Sequence, residues 1–127
     1  MSSWTRINAP GLPEFPAFAH AAMAGDQIYV SGMIGLKDDF SGVVDGGIGP
    51  QTTQALRFVA RILDECGASL ADVVKVGVSM TDLGEWDAMN RAYLDAFGPH
   101  TPARIAVGCA SLLFGASVEL DCVAYRG

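Results

Sequence analysis

The stretch QTTQALRFVARILDECGASLADVVKVGVSM, residues 51–80, changes its apolar period halfway along. From Gln51 to Cys66 the side chains of Ala55, Phe58, Val59, Ile62, Leu63 and Cys66 recur at i, i+3, i+4 and i+7, the pattern of a helix burying one face. Gly67 supplies the stop, because a residue without Cβ takes the left-handed conformation that ends a helix. From Asp72 to Met80 the period falls to two. Val74, Val76, Val78 and Met80 alternate with Lys75, Gly77 and Ser79, which predicts a strand with one buried face, closed by Thr81. A helix feeding straight into a strand excludes all-helical and all-strand architectures.

Working outward, Asp82-Leu83-Gly84-Glu85 reads as an acidic capping box, with Asp82 as the cap and Glu85 reaching back. Trp86, Met89, Tyr93, Ala96 and Phe97 form the stripe of a second helix that Gly98-Pro99 terminates. Two strands follow: Ile105, Val107 and Cys109 alternate with Arg104, Ala106 and Gly108, and Val118, Leu120, Cys122 and Ala124 alternate with Ser117, Glu119, Asp121 and Val123. Upstream, Ala19–Ala24 and Gln27–Gly32 flank Gly25-Asp26, a two-residue hairpin loop. Residues 37–49 read as an exposed loop, and Gly49-Pro50 as a helix start with Pro at the first position. The order β-β-α-β-α-β-β predicts an α+β sandwich, one mixed sheet with two helices on one face. The second sheet face then lacks a cover, and for so short a chain self-association supplies one, so a homo-oligomer is expected.

The chain has 127 residues, 50% hydrophobic and 17% charged, which fits one globular domain spanning residues 1–127. Fourteen Asp and Glu against eight Lys and Arg give a formal charge of -6, the wrong sign for gripping a phosphate backbone, so no nucleic-acid partner is expected. No apolar run approaches the length of a membrane span and no signal-like segment opens the chain, so a cytoplasmic protein without membrane association is expected. Cys66, Cys109 and Cys122 are widely spaced and read as buried small hydrophobes; His20 and His100 stand apart from any ligand cluster. No metal is expected. Nucleotide-binding glycine motifs and the G-x-S-x-G nucleophile elbow are absent.

Two charges interrupt apolar strands. Arg104 follows Pro102-Ala103 at the start of an otherwise uncharged strand, where its guanidinium either docks a carboxylate bidentately or forms a structural bridge. Glu119 lies between Val118 and Leu120, either on a wet face or against a cleft, and Asp121 shares its side. Ser31-Gly32 ends its strand in a turn or bulge, or in amides open to a ligand.

Tyr29-Val30-Ser31-Gly32, Gln51-Thr52, Asp72-Val73-Val74-Lys75-Val76, Met89-Asn90, Pro102-Ala103-Arg104 and Ala116-Ser117-Val118-Glu119, in this order from about Asn8 to Tyr125, resemble the Rid family, also called YjgF-type or L-PSP endoribonuclease. The resemblance implies a chorismate-mutase-like fold assembled as a homotrimer with clefts between subunits. It also implies hydrolytic deamination of reactive enamines and imines of amino acids, such as 2-aminoacrylate, to 2-keto acids and ammonia, with no cofactor. On the matching positions Arg104 binds the substrate carboxylate and Glu119 moves protons, while Ser31, Gly32 and Asn90 line the cleft. Phe18 stands there in place of a tyrosine, Ile105 in place of a common serine, Ala106 in place of a cysteine, and Leu113-Phe114 in place of Leu-Pro. These departures bear on substrate range and admit a larger or more apolar imine. A trimer that only binds small carboxylates is the alternative, and a ribonuclease is disfavoured by the negative charge.

Overall fold

The structure, a computed structural model, describes residues 3–127. The 51–80 stretch folds as its two periods require. Helix α1 (Ile48–Glu65) buries Ala55, Phe58, Val59, Ile62 and Leu63, and Gly67 ends it at φ 76°. It starts two residues earlier than Gly49-Pro50 predicts, behind Gly47 at φ 87°, so Pro50 is its third residue rather than its first. That placement costs no hydrogen bond, because the first amides of a helix have no intrahelical partner. The strand that follows, Val73–Met80, buries Val73, Val76, Val78 and Met80 but leaves Val74 49% exposed. Val73 pairs with Ala124 and Lys75 with Val123 of the last strand, so Val74 is the extra residue of a bulge and the inward alternation shifts by one.

The strands are β1 (Thr5–Ile7), β2 (Ala21–Ala24), β3 (Gln27–Met33), β4 (Val73–Met80), β5 (Ala103–Gly108) and β6 (Val118–Tyr125), in the sheet order β1-β2-β3-β6-β4-β5. Only β4 and β5 run parallel, joined across helix α2 (Trp86–Phe97). The β2–β3 hairpin turns on Gly25 at φ 61°, as its sequence predicts, although β2 begins at Ala21 rather than Ala19 and β3 runs on to Met33. Strand β1, three residues long and too short to show a period, was not foreseen in the sequence. The capping box is also corrected: Asp82 Oδ1 accepts the Gly84 amide at 2.8 Å and caps a single 3-10 turn, Leu83–Glu85, and α2 proper begins at Trp86.

Both helices cover one sheet face and share its core, in which Ile28, Val76, Met80, Leu120, Ile62 and Met89 are fully or almost fully buried. The opposite face is left open, with Tyr29, Ile105, Val107 and Tyr125 each 45–56% exposed. No helix among the described residues is long and apolar enough to cross a membrane.

Candidate active site

Glu119 and Arg104 project from the same sheet in opposite directions. Glu119 pairs with Ser79 and Ser79 with Val107, all on the open face, whereas Arg104 pairs with Val76, whose side chain is in the helix-covered core. Directly paired residues share a face. The two charged groups therefore do not meet within one chain, and each has its own surroundings.

Around Glu119 the backbone is irregular. Val30 pairs with Cys122 and Met33 with Leu120, so Ser31 and Gly32 form a bulge in β3. The Glu119 carboxylate lies over Gly32 so closely that a Cβ there would stand 2.5 Å from Oε1. Glycine is what makes room for the acid. The Ser31 amide donates to the His20 carbonyl at 2.9 Å and its hydroxyl donates to the Ala19 carbonyl at 2.6 Å, fixing the bulge to the segment before β2. His20 is itself a clamp. Its Nδ1 accepts the Ala9 amide at 2.9 Å, which leaves the proton on Nε2 to be donated to the Pro13 carbonyl at 2.6 Å. With both nitrogens spent and only 2% of the residue exposed, His20 holds residues 9–13 and is not a free base. Phe18 stacks on Phe15 with centroids 5.0 Å apart and an interplanar angle of 19°. Phe18, Ser31, Gly32 and Glu119 share one cavity of about 420 Å³, whose lining includes Phe15, Met33, Phe40, Phe58, Leu113 and Phe114.

Arg104 is held by the regular side-chain stripe of α2. It donates from one terminal nitrogen to Asn90 Oδ1 at 2.7 Å, and its guanidinium carbon lies 5.0 Å from the Trp86 ring centroid and 4.8 Å from that of Tyr93. Burial holds the Tyr93 hydroxyl's pKa above its ordinary value, and the nearby Arg104 charge offsets only part of that rise. Bonded to a neutral amide, the guanidinium keeps its charge uncancelled and most of its five donors for a bound anion. Sequence reasoning paired Asn90 with the site but read Trp86 and Tyr93 only as a core stripe. Their spacing at 86, 90 and 93 already put all three on one helix face.

The cavity's aromatic walls carried no comparable signal, since Phe15, Phe40 and Phe114 come from loops far apart in sequence. Phe114 is held at φ 59°, ψ 20°, a left-handed conformation unusual for a residue with a side chain. Cys66 and Cys122 are buried as the sequence predicts, whereas Cys109, just past the end of β5, is only half-buried. Burial pushes the Cys122 thiol up to about 12, with Asp121 adding to it, and Cys66 is raised by burial as well. Neither is a thiolate at neutral pH. Among the described residues no three His, Cys, Asp or Glu side chains gather as a metal site.

Both the sequence and the fold match known proteins. The family model described as Endoribonuclease L-PSP matches residues 11–126. A RutC family protein of Pyrococcus abyssi is 37% identical over 109 residues, 86% of this chain and 86% of its own. A human protein named 2-iminobutanoate/2-iminopropanoate deaminase is 32% identical over 110 residues, 87% of this chain and 80% of its own. The crystal structure of yeast Mmf1 superposes with a TM-score of 0.89 at 32% identity, covering 98% of this chain and 100% of that one. With a matching profile over nearly all its length, and relatives alike in sequence and in fold, the chain belongs to the L-PSP endoribonuclease family, the YjgF/Rid family.

Proposed function

We propose that the chain hydrolyses 2-imino and 2-enamine acids to 2-keto acids and ammonia, as one domain repeated in a homotrimer whose clefts join Glu119 of one copy to Arg104 and Asn90 of the next. The observation that carries this reading is the opposed projection of Glu119 and Arg104 from one sheet. Two groups on opposite faces act on one small molecule only if two copies supply them, and the uncovered apolar face offers a surface for such packing. The name of the human relative supports the reaction class.

The chemistry asks little of the protein, because a protonated imine is already electrophilic. Arg104 holds the carboxylate in its fork and so fixes the imine carbon. Glu119 takes a proton from water as the oxygen bonds to that carbon and passes it to nitrogen. It then takes the remaining hydroxyl proton as the C=O bond forms and the C–N bond breaks, and hands it to the departing ammonia, which leaves as ammonium. The products are the 2-keto acid and ammonium, and Glu119 ends as it began. No cofactor takes part.

The test is complementation. Glu119→Gln alone is expected to lose about tenfold to a thousandfold in kcat, the worth of a proton shuttle, and Arg104→Ala alone to lose its hold on the substrate. Co-expressed in equal amounts, the two variants form mixed trimers in which about a quarter of the sites carry both native residues, so roughly a quarter of the parent activity returns. Native mass measurement reports the trimer and ammonia release the activity. No recovery in mixed trimers would place both residues in one subunit's site or in none. Binding of 2-keto acids without ammonia release from any imine leaves the carboxylate-binding trimer instead.

A further inference from the structure

Among the side chains of the described residues that line the cavity beside Glu119, the Glu119 carboxylate is the one polar group left free. The ring nitrogens of His20 are spent on Ala9 and Pro13, and the Ser31 hydroxyl donates to Ala19. The other lining side chains are apolar, with Phe15, Phe18, Phe40, Phe58 and Phe114 the largest. About 420 Å³ lies between them, far more than an acid with a methyl side chain fills and within the range of much larger ligands. In the single chain Phe15, Phe18 and Phe114 are each 42–55% exposed at the cavity. Phe114 is kept in a left-handed backbone conformation that glycine adopts without strain, and that placement puts its ring on the cavity wall.

We infer that this cavity receives the substrate's side chain, and that the imino acids processed best carry large apolar side chains, aromatic rings foremost. The inference rests on the deaminase reading of the same site and adds its substrate class. Side-chain polar recognition is confined to the carboxyl and imine end, at Arg104 and Glu119, and the far end meets apolar and aromatic side chains.

Imino acids generated in place from phenylalanine, leucine and alanine by an amino-acid oxidase, with their loss followed with and without the protein, provide the test. The phenylalanine-derived imine is expected to exceed the alanine-derived one in kcat/KM by about tenfold or more, the discrimination that burial of a large apolar group gives. Equal values, or preference for the alanine-derived imine, would overturn the substrate class and leave the deaminase reading intact. If no imine is consumed, the deaminase reading fails, and calorimetric titration decides the inference separately. Tighter binding of 2-oxo-3-phenylpropanoate than of 2-oxopropanoate supports it, and equal binding overturns it. Phe114→Gly locates the preference. It relaxes the backbone while removing the ring, so the unfolding temperature should not fall, yet the phenyl-over-methyl ratio should drop about fivefold. An unchanged ratio would move the specificity out of this cavity.

Discussion

Glu119 is set in place by irregular backbone: a bulge at Ser31 and Gly32, a glycine under its carboxylate, and a buried histidine that fixes the neighbouring loop. Arg104 is set by regular elements, a strand residue gripped by three side chains at 86, 90 and 93 on one face of a helix. The first arrangement has no slack, because backbone cannot be exchanged for another group of similar shape. The second spreads its hold over three neighbours. The two halves should therefore fail differently when altered.

The largest effect is expected where the regular half loses its own functional group. Arg104→Lys keeps the charge but not the planar fork, so it cannot hold Asn90 and a substrate carboxylate together in one plane. The expected loss in kcat/KM is at least about 2 to 3 kcal/mol, with 2-keto acid binding weakened in parallel. Steady-state kinetics and calorimetry check this, and near-parental values would mean that charge alone suffices there.

The irregular half should respond to a single methyl group. Gly32→Ala places a Cβ 2.5 Å from Glu119 Oε1, and what yields is the end of a flexible side chain rather than the backbone. The variant should fold with an unfolding temperature close to the parent's and yet lose about tenfold in kcat, as a displaced proton shuttle would. A drop in stability with kcat preserved would show that Gly32 serves the fold and not the placement of Glu119.

That contrast also governs what was legible beforehand. Two helices, the β2–β3 hairpin, β4 and β6 followed from periodicity, because each element repeats its pattern over enough residues to be read. Deviations arose where one residue breaks the repeat: the bulge that turns Val74 outward, the start of α1 at Ile48, and the brief β1. Of the candidate site, Arg104 and Glu119 were visible as charges in apolar strands, yet periodicity alone left their roles open. Their opposite faces became evident only with the parallel pairing of β4 and β5, since register between strands is not written in either strand. The role of His20 was hidden because it depends on Ala9 and Pro13, which come from a loop with no period at all.

The smallest effect is expected at Trp86. Its ring lies 5.0 Å from the guanidinium but is 41% exposed, so solvent weakens the attraction to the lower part of the cation–π range. Tyr93, on the other side at 4.8 Å, is 3% exposed and belongs to the core, so its removal would mix a packing loss with a positioning loss. Trp86 is the cleaner probe. Trp86→Leu removes one of three holds on Arg104 and should raise KM about threefold, roughly 0.6 kcal/mol, with kcat and unfolding temperature little changed. Trp86→Phe, which keeps an aromatic face under the charge, should restore most of the loss. A KM unmoved by Trp86→Leu would show that Asn90 and Tyr93 alone hold the fork, while an effect as large as that of Gly32→Ala would erase the distinction between a half held by side chains in parallel and a half held by backbone in series.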